Sequence, residues 1–292
     1  MKLANRLAWG HRIAMPVYHI AAIALMFIYP LTPKTLVLFL ITYLIQALGI
    51  SVGYHRLFSH RAFHANRILT FLLALCGGLA GQGAIRRWVC HHRMHHRYTD
   101  KTGDPHSPLV SGFWYAHIGW RFDPESYVHE EEAKKIWAEW PAELCWLDRM
   151  IPTLFFLHPL VLGLVGGWEY VEWGCFVPTV LLWEITFTVN SISHRFGRRL
   201  FDTPDTSRNS TWLSLMMWGE GWHNNHHASP KNARYGIRWY QIDAGYYFIK
   251  IMQRLGLIDR VVDDSEADIR NALAMSLAVK PTTQTPPFRD PF

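Results

Sequence analysis

Residues 36–54 read LVLFLITYLIQALGISVGY, and HRLFSH follows directly at 55–60. The first stretch is almost entirely apolar and has the length that a helix needs to cross a bilayer, which is about 20 residues. The second stretch is polar and carries two histidines. We interpret 36–54 as a membrane span with the histidine pair just outside its polar end.

Three further apolar stretches have the length of membrane spans. Positive charges precede the first of them, as in a signal peptide, but no small-residue cleavage pattern follows. We therefore interpret that stretch as a transmembrane helix too. The sequence predicts an all-α, polytopic membrane protein whose four transmembrane helices cover residues 13–31, 36–54, 151–167 and 174–193.

The composition agrees with a membrane protein. Half of the 292 residues are hydrophobic, 14 are Trp, 17 are His, and the formal net charge is +6. Apolar bulk with basic charge is typical of a membrane protein that has a cytoplasmic face. The four cysteines form no CxxC pair, so we expect neither a disulfide framework nor a zinc ribbon.

Histidines cluster in four short motifs: HRLFSH at 55–60, HHRMHH at 91–96, NSISH at 190–194 and WHNNHH at 222–227. In the second and fourth motifs the spacing i, i+3, i+4 places three imidazoles on one face of a helix. Three clusters and a further histidine outside the apolar runs predict a metal site. Its candidate ligands are His55, His60, His92, His95, His96, His194, His223, His226 and His227.

Nine imidazoles exceed the needs of one four-coordinate ion and suit two ions, each with an open position. Asn190 is a candidate for holding a metal-bound water. His55 and His60 diverge by about 140° on an ideal α-helix, so either the helix bends or ends there, or the two histidines serve different metals. Imidazole binds several transition metals, so the ligand type does not name the metal.

The histidine motifs can share a site only if they lie on one side of the membrane. The short apolar segment at 68–85 therefore does not cross and is predicted to be a buried or membrane-surface helix. The third and fourth spans return the chain to its starting side. Arginines crowd that side, whereas the loop GWEYVEW at 167–173 is acidic, so the histidines and both termini are predicted to be cytoplasmic.

Other polar residues near the motifs have weaker signals. Glu220, Asp100 and Asp104 are candidates for accepting hydrogen bonds from ligand rings, although loop capping explains each of them equally well. We expect His91 to lie beside the metal site or in solvent, and His106 to brace a loop. The remaining histidines are expected to be packing or surface residues: His11, His19, His64, His117, His129 and His158.

The motif set resembles that of the membrane fatty acyl desaturases of the stearoyl-CoA desaturase type. The likeness runs from about residue 15 to residue 257 and includes GDPHSP at 103–108 and GEGWHNNHH at 219–227. It implies a four-helix membrane bundle under a cytosolic helical cap that holds a di-iron centre. The nine histidines match the iron ligands, and Asn190 matches a residue that holds a metal-bound water.

The resemblance also implies an acyl tunnel. Tyr43 and Ala47 match positions near its closed end, and Trp88 is placed on the tunnel as well. Animal acyl-CoA enzymes carry Trp-Ala-Arg-Asp before the second histidine motif, where the arginine helps to bind CoA. Here the string is WVCH at 88–91, which leaves the acyl carrier open between CoA and a membrane glycerolipid.

By resemblance, the protein is an O2-dependent oxidoreductase that introduces a cis double bond, expected at carbon 9, into a saturated acyl chain. The two electrons must come from a separate donor of the ferredoxin or cytochrome b5 type, with a reductase, because the chain carries no haem, flavin or iron–sulfur motif. A basic face would attract such an acidic donor. No nucleic-acid partner is expected. Residues 1–258 are predicted to form one domain, and 259–292 a flexible tail.

Two alternatives remain. A membrane di-iron hydroxylase of alkyl or lipid chains has similar histidine motifs and differs in its product. A non-catalytic metal transporter would place its polar ligands near the bilayer midplane, whereas here the clusters lie outside the apolar runs.

Overall fold

The computed structural model describes residues 2–127 and 130–279, and this part of the chain is mostly helical. The elements in chain order are α1 Lys2–Met26, α2 Pro33–Leu48, a π-helix Gly49–Ser59, β1 Phe63–Ala65, α3 Arg67–Leu79, α4 Ile85–Tyr98, α5 Phe113–His117, 3-10 turns Gly119–Phe122 and Pro124–Tyr127, α6 Glu130–Ala138, α7 Ala142–Val171, a π-turn Glu172–Phe176, α8 Val177–Ser191, α9 Thr211–Met216, α10 His223–Ala228, α11 Ala244–Arg254, β2 Ile258–Val261 and α12 Glu266–Val279.

Helix α2 continues without a break into the π-helix. It begins at Thr32, which forms a capping box with Thr35, and Pro33 occupies the first turn, where its missing N–H costs nothing. In a π-helix the hydrogen bond joins residues five apart. The last of these bonds joins His60 N to His55 O at 3.2 Å, and there the helix ends. The π geometry therefore brings together the two histidines that an ideal α-helix would separate.

Two helical segments are long and apolar enough to cross a membrane. They cover residues 33–59 and 142–191. The second is interrupted at Gly166 and Gly167, where the backbone is not helical, so it comprises two helices. These segments contain three of the four predicted spans. Helix α1 covers most of the first predicted span, and several of its apolar side chains are exposed, among them Ile13 and Ile20. The full set of four transmembrane helices stays a prediction at this point.

Helix α3 occupies most of the short apolar segment and has only 13 residues. Asn66 caps it by accepting a hydrogen bond from Leu69 N at 2.9 Å. It packs against the π-helix and α7. The closest approach is at Gly49, where an added Cβ would lie 2.1 Å from Gly77 N, so only glycine fits there. The segment at 68–85, which was predicted not to cross the membrane, thus contains a short and partly buried helix.

The strands β1 and β2 pair antiparallel and tie the end of the chain to the π-helix region, with Phe63 opposite Val261. The sequence analysis expects a flexible tail from residue 259, but the structure continues through β2 and α12 to residue 279. Apolar residues explain the difference: Ile258 and Ile269 are almost fully buried, and Ile269 packs with Phe201. Residues 280–292 lie outside the described residues.

Candidate metal centre

Five of the predicted histidines meet in one cluster, in which one ring nitrogen from each lies within 4.8 Å of the others. Nε2 of His60 is 2.6 Å from Nε2 of His92. Nε2 of His226 is 3.1 Å from that of His55 and 2.9 Å from that of His96. We call this cluster site A. It joins the π-helix and its end, α4 and α10.

The other four predicted ligands form a second cluster by the same distance criterion, which we call site B: His95, His194, His223 and His227. Nε2 of His194 lies 2.9 Å from Nε2 of His223. Site B joins α4, α10 and the segment that follows α8. The two sites are neighbours, since the rings of His96 and His227 stack with centroids 4.6 Å apart.

The nitrogens that face each other can serve as metal ligands. In His194 a carboxylate accepts from Nδ1, which fixes the proton there and leaves a lone pair on Nε2. Nε2 of His227 is buried without a hydrogen-bond partner, while its Nδ1 is held in the same way. The observed separations of 2.6–3.1 Å bring the nitrogens close enough together to bind a shared cation.

Four carboxylates orient the rings from behind, each accepting from Nδ1 of one ligand. Glu220 holds His55. Asp104 holds His95 at 3.0 Å, and Asp100 holds His194 at 3.2 Å. A carboxylate of this kind fixes the tautomer and makes the ligand nitrogen more basic. The three carboxylates named from the sequence thus contact ligand rings, and Asp100 and Asp104 also accept from the backbone N–H groups of Thr206 and His106 in the loops.

The fourth carboxylate, Asp205, was missed by sequence reasoning. Its Oδ2 accepts from Nδ1 of His227 at 3.1 Å. It lies outside all four histidine motifs, in the loop before α9, where it also accepts from Ser207 N and looks like an ordinary turn residue. Nothing in the sequence links it to a histidine that is 22 positions away.

Electrostatics favour neutral rings at five of the ligands and charged carboxylates, whereas at His95 burial is outweighed by Asp104, which raises the pKa of that ring. Burial, with repulsion from neighbouring histidines, lowers the pKa of His60, His92, His96, His223 and His226 well below the ordinary value. A neutral imidazole is the form that binds metal. Burial alone would raise the pKa of the aspartates, but hydrogen bonds and ion pairs with the rings outweigh it and lower the pKa of Asp100, Asp104 and Asp205.

Behind Glu220 lies a fully buried arginine, Arg56. Its guanidinium is 3.0 Å from Asp243 and 3.6 Å from Glu220, and it lies over the ring of Tyr235. Its Nη1 donates to the backbone oxygen of Ala233 and its Nη2 to that of Trp218, both at 2.9 Å. Arg56 therefore serves the interior of the site, although the sequence analysis places it among the arginines of the cytoplasmic face.

The two asparagines of WHNNHH hold the loop that carries the ligands. Asn224 Oδ1 accepts from Leu200 N and Phe201 N, both at 2.8 Å. Asn225 donates to Tyr235 O and accepts from the side chain of Asn209. All of these contacts are buried except the one with Leu200, which is partly buried. The asparagines fix α10 against the flanking loops, which places its three histidines.

His106 belongs to a third group of residues that could bind a metal ion, together with His95 and Asp104. Its ring stacks on His95 with centroids 4.6 Å apart, and its Nδ1 is buried without a hydrogen-bond partner. His91 contacts Ser126 O and packs against Trp120. His106 is thus closer to the centre than a loop brace would be, whereas His91 lies beside it as predicted.

The histidines predicted to be structural lie away from sites A and B as far as the chain is described. His19 and His117 both contact Glu184, His64 pairs with Asp259, and His11 contacts Arg121. His158 is part of α7. His129 lies outside the described residues.

A largely apolar cavity of about 270 Å³ adjoins site A. His92 belongs to both, and the ring of Trp88 stacks on His92 with centroids 5.1 Å apart. Trp88 Nε1 donates to Gln82, and Gln82 Nε2 donates to Thr186 at 2.8 Å. The cavity wall next to the metal site is thereby fixed by hydrogen bonds.

The other predicted site residues have different positions. Asn190 lines the cavity, one helical turn before His194. Tyr43 and Ala47 are buried, but they do not line this cavity. Tyr43 instead donates to Met216 O, and so connects α2 with α9. The role of Tyr43 and Ala47 in limiting chain length stays a prediction.

A mostly helical protein with apolar helices long enough for a membrane, two adjoining polyhistidine sites and an apolar cavity beside them has the features of a membrane-associated metal oxidoreductase. Comparison with known proteins gives the family. A family model described as fatty acid desaturase matches residues 32–250. The chain belongs to this family and is a fatty acyl desaturase.

Curated relatives cover most of the chain. The sn-2 palmitoyl-lipid 9-desaturase of Nostoc sp. is 40% identical over 88% of this chain and 91% of its own length. The delta-9 acyl-lipid desaturase 2 of Arabidopsis thaliana is 40% identical over 78% of this chain and 75% of its own length. The sn-1 stearoyl-lipid 9-desaturase of Anabaena variabilis is 38% identical over 76% and 81%.

Proposed function

We propose that this desaturase introduces a cis double bond between carbons 9 and 10 of a saturated acyl chain that is esterified to a membrane glycerolipid. The observation that carries the proposal is the contact between site A and the apolar cavity through His92 and Trp88. An acyl chain in this cavity would lie next to the metal ligands. The position of the double bond agrees with the names of the three relatives described above, each a 9-desaturase, although a relative that is 39% identical is named a delta-7 desaturase.

Sites A and B are proposed to hold two iron ions. Together with O2, a di-iron centre supplies an oxidant strong enough to remove hydrogen from methylene groups that no neighbouring group acidifies. The overall reaction consumes one O2, two electrons and two protons, removes two hydrogens from the chain and yields two waters. The protein's own part is to hold the rings, to keep them neutral and to position the chain.

Positioning decides which bond is oxidised. Trp88, Gln82 and Thr186 form a hydrogen-bonded chain along the cavity wall. Such fixed groups place a flexible chain in one register more effectively than apolar packing alone, because they do not move when the chain binds. We infer that this wall sets the distance between the head group and the oxidised carbons.

The shape of the cavity favours a lipid-borne substrate over a soluble carrier. Its lining includes Gly10 of α1 together with Pro152 and Phe156 of α7, and these residues are exposed. Deeper in the fold, Tyr18 stacks on Phe155 and closes the space between the two helices. An acyl chain can therefore enter sideways from the bilayer while its head group stays at the surface.

The proposed function requires an integral membrane protein. We propose that α1, α2, α7 and α8 are the four transmembrane helices, and that the metal sites and both termini lie on the cytoplasmic side. The apolar stretches at 33–59 and 142–191 support three of these helices. The exposed apolar side chains of α1 support the fourth. A tagged terminus that proves accessible only from the opposite side would contradict the orientation.

The test is expression in a host that has no desaturase of its own, together with an electron donor system, followed by analysis of the fatty acids in each lipid class. We expect new chains with a double bond at carbon 9, first in intact glycerolipids. His226→Ala, which removes the ligand shared by three close contacts in site A, should abolish them. The matched control His64→Ala changes an exposed histidine and should leave them unchanged.

The outcomes separate the alternatives. Hydroxylated chains without a double bond would contradict desaturation and favour a hydroxylase. Purified protein that converts acyl-CoA but not glycerolipid in vesicles would contradict the proposed carrier while leaving desaturation intact.

A further inference from the structure

Several arginines near the histidine motifs have acidic partners. Arg61 pairs with Glu139, Arg67 with Glu143, and Arg86 with Asp148. Arg56 is buried beside Glu220 and Asp243. The count of arginines in the sequence therefore overstates the positive charge that this side of the molecule presents to solvent.

Four other basic residues differ from these paired arginines: Arg97, Lys101, Arg195 and Arg198. All four are exposed, and within residues 2–127 and 130–279 none of them forms an ion pair. Asp202 is fully exposed a few positions further along, but it pairs with Arg199 at 3.6 Å. A net positive charge therefore remains on this surface.

Three of the four cations adjoin the metal centre along the chain. Arg97 follows the site A ligand His96, and Arg195 follows the site B ligand His194. Lys101 follows Asp100, the carboxylate that holds His194. The exposed residue Arg195 is thus separated from site B only by one peptide bond and the imidazole of His194.

The two chain segments that carry these cations meet directly beneath the surface. Asp100 joins them through His194 at 3.2 Å and through Thr206, whose backbone N–H donates to Asp100 and whose hydroxyl donates to His194 O, both at 2.8 Å. The backbone of Arg198 pairs with Asn209, so its segment is held in place. Phe196 lies between Arg195 and Arg198 in the chain and is 58% exposed, so it adds an apolar contact among these cations.

We propose that Arg97, Lys101, Arg195, Phe196 and Arg198, which we call the basic face, form the docking surface for a small acidic one-electron carrier protein. The proposal rests on the proposed function, because desaturation consumes two electrons that a reduced partner must supply for each double bond. The carrier, reduced beforehand, delivers them one at a time in two successive encounters and leaves oxidised each time. Acidic side chains on the carrier would meet the cations, and its apolar contact would cover Phe196.

Other exposed surfaces suit this partner less well. Helices α9 and α11 expose Trp212, Leu215, Tyr247 and Ile251, a set of apolar side chains that suits lipid and would not attract an acidic soluble protein. A carrier that must dissociate after transferring each electron needs a small interface, and complementary charges speed its encounter with the enzyme. The basic face offers such an interface.

The experiment compares two double variants with the same change in charge. Lys101→Glu with Arg198→Glu reverses two cations of the basic face, and neither residue is part of the metal centre. Lys231→Glu with Arg260→Glu reverses two exposed cations elsewhere. Each purified, iron-loaded protein is assayed with a purified acidic [2Fe–2S] ferredoxin and its reductase, over a range of salt concentrations. A parallel single-turnover assay uses dithionite in place of the ferredoxin.

We expect the basic-face variant to raise the KM for ferredoxin about tenfold at low salt, with little change in the rate at saturation, because charge complementarity acts mainly on encounter. Its dependence on salt should weaken, and its dithionite turnover should equal that of the wild type. An unchanged KM, or an equal rise in the control variant, would overturn the docking surface. A wild-type protein that forms no double bond even with dithionite would overturn the proposed function, and the docking proposal with it.

Discussion

The carboxylates behind the histidines show how single residues set up the metal centre. Each of Glu220, Asp104, Asp100 and Asp205 fixes one ligand ring through Nδ1, so that Nε2 faces the metal position. Because these carboxylates are buried and remain charged, they also offset part of the positive charge that two bound metal ions would bring.

Asp205→Asn tests the carboxylate that the sequence did not reveal. The change keeps the size of the side chain but removes the charge and the defined acceptor for His227. We expect about a 10- to 100-fold loss of metal affinity at site B, the usual effect of losing such a partner. Metal titration of the apo protein measures it. Asp202→Asn, at an exposed carboxylate three positions earlier, is the control. Equal affinities in the two variants would contradict the role of Asp205.

Arg56→Met tests the buried arginine. The substitution keeps the apolar length of the side chain but leaves Glu220 and Asp243 without their cation in a dry environment. We expect the free energy of unfolding to fall by about 3–5 kcal/mol. Denaturant unfolding in detergent measures the loss. Arg61→Met, at an arginine that is 67% exposed, should change stability little. Similar stabilities for the two variants would show that Arg56 is not essential to the site.

Among the secondary-structure elements, the π-helix is the one that brings His55 and His60 together in site A. His55 and His60 do not share a face of an ideal α-helix. Their spacing alone allows a helix that bends or ends between them, or two histidines that bind different metals. The structure shows a local change of helix type that brings both residues into site A. Sequence spacing could not decide this, because the π-helix is stabilised by its packing against α3.

Gly49→Ala tests that packing. A methyl group at this position would lie 2.1 Å from the backbone nitrogen of Gly77, so the π-helix and α3 must separate. We expect a loss of about 1–3 kcal/mol in unfolding free energy, the usual range for overpacking. Thermal unfolding with and without iron measures it. Gly10→Ala in α1 meets no atom within 4 Å and should not destabilise the protein. A Gly49→Ala protein as stable as the wild type would contradict the close approach.

In the molecule as a whole, the histidine ligands could be predicted from the sequence, but their division between site A and site B could not. The four motifs contain all nine histidines that the structure brings together in sites A and B. Their division into five and four, with α4 supplying ligands to both sites, depends on long-range packing that spacing does not encode. The same holds for Asp205 and for the folded segment 258–279, whose few apolar residues are buried only by contacts with distant parts of the chain.

The central claim is that four distant pieces of the chain build two adjoining metal sites. The most direct measurement is the iron content per chain of the purified protein and of single ligand variants, determined by elemental analysis. We expect two irons in the wild type and in His64→Ala, and fewer than two in both His226→Ala at site A and His223→Ala at site B. One iron or none in a fully active wild type, or two irons in both ligand variants, would contradict the account.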